Sequence, residues 1–476
     1  MTIRTGYCIT CCNSKRTIGS RRLPDLFSNP RKMGRSIELS RKGKYFLATL
    51  LIAAVFSLAV FAFMEKKAVN RAAESGYEAT DIALGVGRDE TEVNLSWYTP
   101  ETSVPGVIQI AEKSFMKGSE FPVDRAKTVK ALLSSASPGF SSHKGTVTGL
   151  DSSAEYVYRL GDGKGKWTGP FTFQTGRGDA FTFLFVSDPQ IGASGDSASD
   201  AAGWEDTLKK AYRSFPDTSF VICAGDQVDD PYNEEQYADY FSPGLLKQIP
   251  FATAVGNHDA SELYRYHFYV PNESSFGRTS AGGDYWFAYG DALFMVLNTN
   301  KKDGEGKAAV RNVGEHIAFM KETLEKNQNA KWKFVVFHHS IYSAANHSQD
   351  RDIIRLRKDL VPALDALGID VVFMGHDHSY VRTFPMKGNQ PLPVQRTDGR
   401  GRVVDPPGTV YFTANSASGS KYYDLVRGEN EDYAAAKSQL YTPAFSVARV
   451  TPETFEIGTF RTETMEVIDS YAIVKK

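Results

Sequence analysis

Five short apolar runs between residues 181 and 378 each end in a small group of Asp, Asn, Gln or His residues. In chain order, the runs with their polar ends are FTFLFVSDPQ, SFVICAGDQ, FATAVGNHD, WKFVVFHHS and VVFMGHDH. Segments with helical spacing lie among them, such as AAGWEDTLKKAYRSF and GEHIAFMKETLEKNQ. An alternation of buried strands with helices predicts an α/β fold in which the loops at the strand ends hold the functional groups.

The polar groups at these strand ends are residue types that bind metal ions. They are Asp188 with Gln190, Asp226 with Asp229, Asn257 with His258 and Asp259, His338 with His339, and His376 with His378. A single histidine at a strand end is usually structural, but five consecutive strand ends of this kind are not expected by coincidence. Carboxylate, imidazole and amide ligands without thiolates suit Zn, Fe or Mn. Two such ions about 3.5–4 Å apart can hold the attacking and leaving oxygens of a phosphoryl transfer.

A different pattern, of short alternating segments separated by turn residues, covers residues 80–176. In VNLSW, the side chains of Val93, Leu95 and Trp97 fall on one face at period two, which is typical of a half-buried strand. The stretch from 150 to 158 resembles the tyrosine corner of immunoglobulin-like sandwiches. These features predict an all-β sandwich ahead of the α/β region.

The first 44 residues are strongly basic, with eleven Lys and Arg against two acidic residues. Tyr45 to Met64 follows without a charged residue, and as a helix it would rise about 30 Å, enough to cross a bilayer. Two interpretations stay open: a transmembrane anchor with a cytoplasmic N-terminus, or a cleaved signal peptide. Residues 1–44 are accordingly a basic cytoplasmic arm or a mis-annotated leader, in which residues 1–32 precede the true start at Met33. Either way, the part that follows the 65–79 linker is expected on the extracellular side, anchored or secreted.

The sequence disfavours a fold held together by disulfides, and it disfavours nucleic acid as a partner. Cys223 is the only cysteine after residue 44, so the body has no internal disulfide framework. The catalytic region has no basic cluster, so nucleic acid is not an expected partner.

The ordered blocks D-x-Q, G-D-x-x-D, G-N-H-D, H-H and G-H-D-H resemble the calcineurin-like metallophosphoesterase superfamily. The β-sandwich ahead of them and the C-terminal EVIDSYAIVK resemble the purple acid phosphatases. The resemblance implies a two-sheet α/β sandwich over residues 180–476, including the C-terminal strands, behind a fibronectin type III-like domain over 80–176. It also implies hydrolysis of phosphate monoesters or diesters, with two divalent ions of Fe, Zn or Mn and a metal-bound hydroxide as the nucleophile.

The resemblance further implies a role for individual residues. Asp226 would bridge the two ions. The other implied ligands are Asp188 and His378 on the first ion, and Asn257, His338 and His376 on the second. The residues implied to contact the phosphate or protonate the leaving group are His258 and His347. The residues expected behind the ligands are Asp229, Asp259 and His339.

The sequence departs from its relatives at the first ion. Purple acid phosphatases have a Tyr three residues after the bridging Asp, and this chain has Asp229 there. Other metallophosphoesterases have a His two residues after the first Asp, and this chain has Gln190. We expect Gln190 to bind the ion through its amide oxygen. Asp229 is expected either to bind directly or to orient a ligand.

A protein of a different class would also fit this pattern. A cell-surface binding protein could retain the phosphoesterase fold and have lost turnover, and the weakened ligand set of the first ion is the feature that favours it. Metal content together with turnover of an aryl phosphate separates the two hypotheses.

Overall fold

The structure is a computed structural model that describes residues 76–176, 178, 180–303, 310–311, 313–426 and 431–476. The predicted leader (1–44), the apolar segment (45–64) and most of the 65–79 linker lie outside these ranges. Within them, no helix has the length and apolar character that a membrane span requires.

The N-terminal part is an all-β sandwich whose strands form two facing layers, ordered β1-β2-β6-β5 and β4-β3-β7-β8. Its strands are β1 (Thr80–Val86), β2 (Glu92–Pro100), β3 (Val107–Glu112), β4 (Lys127–Lys130), β5 (Leu132–Ser135), β6 (Phe140–Thr148), β7 (Glu155–Gly161) and β8 (Phe171–Gln174). Val93, Leu95 and Trp97 are buried in its core, as predicted from their spacing. The Tyr156 hydroxyl accepts a hydrogen bond from the Asp151 N–H at 2.8 Å, which confirms the tyrosine corner.

The α/β part contains the remaining elements. Its strands are β9 (Phe181–Val186), β10 (Thr218–Cys223), β11 (Phe251–Thr253), β12 (Tyr285–Tyr289), β13 (Ala292–Leu297), β14 (Lys302–Asp303), β15 (Val310–Arg311), β16 (Trp332–Phe337), β17 (Val371–Met374), β18 (Tyr380–Thr383), β19 (Met386–Lys387), β20 (Gln390–Pro391), β21 (Val403–Val404), β22 (Val410–Thr413), β23 (Ala434–Ser438), β24 (Ala444–Val450), β25 (Thr454–Arg461) and β26 (Val467–Val474). Its helices are α1 (Ser197–Ser214), α2 (Glu234–Tyr240), α3 (Glu262–His267), α4 (Val313–Lys326) and α5 (Arg351–Leu367).

Two sheets pack face to face in this part, with helices against their outer faces. One sheet contains β24, β9, β10 and β11 in that order, and the other contains β13, β16, β17 and β22. The run FTFLFV of β9 shows why the strands of this sheet are continuously apolar. Phe183 and Phe185 lie in the core between the two sheets, whereas Leu184 lies on the other face, in the cluster that contains Trp204 of α1. Both faces of the strand are therefore buried. The predicted two-sheet α/β sandwich is confirmed, and β24–β26 extend the first sheet beyond β9.

The two parts share a sheet and a polar interface. β1 pairs in parallel with β11 at Gly85 and Phe251, which joins the sandwich layer to the first α/β sheet. On the face of β2 opposite its own core, the Tyr98 ring stacks on His267 with 4.2 Å between centroids. His267 Nε2 lies 2.8 Å from a carboxylate oxygen of Glu234, at the start of α2. The sandwich domain therefore contacts the helices that support the α/β loops.

We expect the Tyr98 ring to carry much of this interface energy, because Tyr98 is only 1% exposed. Tyr98→Ala should lower the free energy of unfolding by about 3 kcal/mol, as for other buried aromatic truncations. Tyr98→Phe is the matched control, since it removes only a 3.4 Å hydrogen bond to Glu234 and should cost less than about 1 kcal/mol. Thermal unfolding of both variants measures this. Equal losses would show that the hydroxyl, rather than the ring, holds the interface.

A second prediction concerns acid stability and the buried His143 of β6. The Gly106 N–H donates to its Nδ1 at 3.0 Å, which requires an unprotonated nitrogen, and burial lowers the pKa of His143 from 6.5 to about 4. Between these pH values the unfolded chain binds more protons, so the free energy of unfolding falls as the pH falls. His143→Gln should flatten this part of the stability profile. Parallel profiles of wild type and variant would contradict the prediction.

Candidate metal centre

The polar motifs of the sequence meet at the carboxyl ends of parallel strands. β9, β10 and β11 run parallel in one sheet, and β16 and β17 run parallel in the other. The loops that follow them contact one another across the two sheets: the His376 N–H donates to Asp188 Oδ2 at 3.0 Å, and His338 Nδ1 lies 3.0 Å from the Ala224 carbonyl oxygen. Loops from both sheets therefore converge on one site.

The backbone at this site turns sharply. Among the described residues, five of the twelve non-glycine positions with positive φ belong to it: Asp188, Gln190, Asp226, His376 and His378, with φ from 36° to 76°. Such conformations are costly for residues with a Cβ and concentrate at functional sites. They direct side chains from the ends of extended strands back toward a common point.

Glycines in the motifs allow the loops to approach closely. A Cβ at Gly256 would lie 2.0 Å from Asp226 Oδ1, and a Cβ at Gly375 would lie 2.4 Å from Asp188 Oδ2. Only residues without a side chain fit at these two positions. The glycines of G-N-H-D and G-H-D-H are therefore needed for the packing of one ligand loop on another.

Two groups of potential metal ligands share one carboxylate. Asp188, Asp226 and His378 form the first group, and each offers a ligand atom within 4.8 Å of the others. Asp226 with His338 and His376 forms the second group by the same criterion. This places Asp226 between the two groups, the position that the sequence predicts for a bridging ligand.

The imidazoles are oriented by backbone carbonyls. Nδ1 of His338 lies 3.0 Å from the Ala224 carbonyl, and Nδ1 of His378 lies 2.8 Å from the Lys421 carbonyl. Because a carbonyl only accepts, each Nδ1 carries the hydrogen and each Nε2 is left for a metal. Nε2 of His338 lies 3.1 Å from the Asn257 amide oxygen, so Asn257 belongs to the same group.

The electrostatics of the site favour a bound cation. Burial disfavours the charged form of His338, but the nearby carboxylates, Asp226 foremost, raise its pKa to about 9. Burial likewise disfavours the charged form of Asp226, and the His338 imidazolium holds the pKa of Asp226 well below its usual range. In the absence of an ion, a proton on the imidazole thus provides the positive charge that the buried carboxylates require.

Gln190 is held so that its amide oxygen has no protein partner. Its Nε2 donates to Asp229 Oδ1 at 2.9 Å, whereas its Oε1 is buried and forms no hydrogen bond. A buried amide oxygen without a partner is costly, and a metal ion of the first group would satisfy it. The residues present therefore fit a metal. Two roles were considered for Asp229, direct binding and orientation of a ligand, and its hydrogen bond with Gln190 supports the second.

The two histidines predicted to contact substrate flank the ligand groups. Nδ1 of His258 lies 2.6 Å from the Asp229 carbonyl, and its side chain is 32% exposed. The His347 ring lies 4.5 Å from the His376 ring, with Nδ1 2.7 Å from Asp350 Oδ2. Both rings are thus held in place beside the ligands while remaining accessible to solvent.

The other two residues expected behind the ligands serve as supports. The Asp259 carboxylate accepts the Gly256 N–H (2.8 Å) and the Gln227 N–H (2.9 Å), which ties the G-N-H-D turn to the loop of Asp226. Burial and the charge of Asp226 raise the pKa of Asp259 to about 8. His339 is buried, with Nδ1 2.7 Å from the Thr299 hydroxyl.

Residues 181–380 match the calcineurin-like phosphoesterase family model, and residues 79–175 match that of the purple acid phosphatase N-terminal domain. The chain carries these two domains in this order. The phosphoesterase domain therefore contains all five strand-end motifs.

Individual relatives agree with this assignment. The chain is similar to purple acid phosphatase 7 of Arabidopsis thaliana, with 29% identity over 186 residues, 34% of this chain and 55% of that protein. Purple acid phosphatase 15 of the same plant is 24% identical over 364 residues, 65% of this chain and 64% of that protein. The first curated relatives are matched over 36 to 55% of their length. The solved purple acid phosphatase PPD1 from yellow lupin seeds has the same fold: TM-score 0.66, 16% identity, 84% of this chain and 75% of that chain.

Three further residues at the candidate metal centre were given no role in the sequence analysis. The Asp377 carboxylate accepts the N–H groups of Ala345 (3.1 Å) and His347 (2.9 Å), so it holds the loop that carries His347. The Tyr423 ring lies 5.1 Å from the rings of both His347 and His378. Lys421 supports His378 through its carbonyl. Asp377 was identifiable from its position between two ligands, whereas Lys421 and Tyr423 follow no strand-end motif.

We expect Gln190→Ala to weaken metal binding at the first group, because it removes the unpartnered amide oxygen. The affinity for Mn or Zn should fall by about 10-fold or more, and Gln190→His should restore it by supplying an imidazole. Calorimetric titration of the chelated protein measures both changes.

Asp229→Ala is the comparison variant, since Asp229 is assigned the orientation of Gln190. It should give a smaller loss of affinity than Gln190→Ala. An unshifted titration for Gln190→Ala, together with a large shift for Asp229→Ala, would mean that Asp229 is the ligand.

Proposed function

We propose that this chain hydrolyses phosphate monoesters or diesters at a dinuclear metal centre. The observation that carries the proposal is the sharing of Asp226 by two ligand groups. The ligands assigned to the centre are Asp188, Gln190, Asp226, Asn257, His338, His376 and His378. Divalent Fe, Zn or Mn bound there would supply Lewis-acid activation of water and polarisation of the phosphoryl oxygens.

The shared carboxylate has a physical role in such a centre. Two divalent cations repel each other, and a buried anion between them offsets that repulsion. Two hydrogen bonds fix the loop of Asp226. Asp226 Oδ1 accepts the His258 N–H at 2.9 Å, and the Asp259 carboxylate accepts the N–H of the next residue, Gln227, at 2.9 Å. These contacts keep the carboxylate between the two groups of ligands.

His258 and His347 are assigned to the substrate. The hydrogen bond between His258 Nδ1 and the Asp229 carbonyl leaves Nε2 as the atom that exchanges a proton with the leaving group or contacts the phosphoryl group. In His347 the Asp350 carboxylate engages Nδ1 in the same manner. Each ring is thus positioned before substrate binds, which is the condition for efficient proton transfer or charge stabilisation.

The proposed reaction takes place outside the cytoplasm. The basic residues before the charge-free segment 45–64 favour an extracellular phosphoesterase domain, either membrane-anchored through that segment or secreted after cleavage. The family relationship supports phosphate esters as the substrates.

Metal binding and chemistry should be separable by mutation. Asp226→Asn should abolish turnover and reduce metal content, because the bridge between cations needs its negative charge. His258→Ala should retain the metal and lose about 10²–10⁴-fold in kcat, the usual contribution of a positioned proton donor or charge stabiliser. Turnover of p-nitrophenyl phosphate and metal analysis of each purified variant measure these effects.

Two outcomes would change the assignment. Loss of the metal in His258→Ala would make His258 a ligand. A wild-type protein that binds metal and hydrolyses neither p-nitrophenyl phosphate nor bis(p-nitrophenyl) phosphate would contradict the proposed activity and favour a binding protein with this fold.

A further inference from the structure

We propose that the ammonium group of Lys421 binds the phosphoryl group of the substrate and favours phosphate monoesters over diesters. This inference rests on the proposed function and narrows its substrate class. It concerns the segment Lys421–Asp424, whose residues lie beside the ligand His378.

The backbone of this segment is fixed against the metal ligands. The Lys421 carbonyl accepts from His378 Nδ1 at 2.8 Å. The Gln439 side-chain amide donates to the carbonyls of His378 (2.7 Å) and Tyr423 (2.8 Å), which joins the segment to the G-H-D-H loop. The Cα of Lys421 is therefore held at a constant distance from the site.

The side chain of Lys421 extends along the rim of the centre. Its Nζ lies 5.1 Å from the centroid of the Tyr423 ring, and that ring contacts His378 and His347 at 5.1 Å each. The ammonium is also within electrostatic reach of the carboxylates of Asp229 and Asp226. The ammonium thus lies at the Tyr423 ring, which contacts both the proposed substrate-contacting His347 and His378 of the first group.

This charge is available to a ligand. Within the described part of the chain, the Lys421 ammonium forms no ion pair, and its contacts are with the Tyr423 side chain, through the ring and through a hydrogen bond to its neutral phenol oxygen. A cation–π contact and a hydrogen bond to a neutral phenol contribute about 0.5–2 kcal/mol each, and a contact between the ammonium and an anionic phosphoryl oxygen is stronger than either, so a phosphoryl oxygen competes with Tyr423 for the ammonium.

The sign and number of charges decide the substrate preference. The carboxylates of Asp188, Asp226 and Asp229 offset much of the charge of two divalent ions, so Lys421 adds substantially to the net positive charge. A phosphate monoester is mostly dianionic above its second pKa of about 6, whereas a diester carries one negative charge. Because Coulomb energy scales with charge, the ammonium stabilises the monoester roughly twice as strongly.

The geometry allows the side chain to be tested apart from the backbone. The group that supports His378 is the Lys421 carbonyl, which every substitution retains. Lys421→Met removes the charge at similar length, and Lys421→Arg keeps it. Lys326→Met is the control, because Lys326 lies at the end of α4 with its side chain 66% exposed.

The experiment measures kcat/KM for p-nitrophenyl phosphate and bis(p-nitrophenyl) phosphate in each metal-loaded variant, with the affinity for inorganic phosphate from calorimetry. Lys421→Met should lower kcat/KM for the monoester by about 10–100-fold, the order expected for a lost charge-assisted contact, and that for the diester several-fold less. Phosphate should bind correspondingly more weakly. Lys421→Arg should retain most of both properties, and Lys326→Met should match wild type.

Other results overturn the inference. Equal losses on the two substrates, or a loss of metal content in Lys421→Met, would assign Lys421 a structural role. Unchanged kinetics and phosphate affinity would exclude a phosphate contact. If the wild type hydrolyses neither substrate, the proposed function fails, and the phosphate titrations still decide whether Lys421 binds a phosphoryl group.

Discussion

The buried carboxylate of Asp226 is the group around which the site is organised. It lies just beyond β10, at 2% exposure, and receives the His258 N–H on one oxygen and His338 Nε2, 3.1 Å away, on the other. A buried carboxylate needs hydrogen bonds and compensating positive charge. Loops from both sheets supply these contacts, which explains why the strand ends meet at this point.

Support for the centre extends through α2 to the domain interface. Gln236 Oε1 accepts the N–H groups of Asp229 (3.0 Å) and Asp230 (2.7 Å), so α2 holds the loop that orients Gln190. Two residues earlier in the same helix, Glu234 pairs with His267, against which Tyr98 of the sandwich domain stacks. A continuous series of contacts therefore links the N-terminal domain to the first ligand group.

The opposite side of the site is built differently. There, Asp377 holds the His347 loop through backbone N–H groups, and Gln439 holds the Lys421–Asp424 segment. These loops contribute a histidine, an aromatic ring and an ammonium group beside the ligands. The proposed metal ligands follow strand ends, whereas the groups proposed to contact substrate come from other loops, which can vary without disturbing the sheets.

The sequence alone determined the strand-end motifs and the α/β class, because apolar periodicity and the residues that follow each strand are local properties of the chain. The two-sheet arrangement and the grouping of candidate ligands were implied by the family resemblance that those motifs carry. The glycines of those motifs are likewise visible in the sequence, because Gly256 and Gly375 each directly precede a candidate ligand. Tertiary structure alone decided that the Gln190 amide nitrogen donates to Asp229 and that its buried amide oxygen forms no hydrogen bond. It also brought Lys421, which is 43 residues beyond His378 in the chain, to the rim of the site. No local pattern encodes such contacts, because they depend on the packing of loops that are distant in sequence.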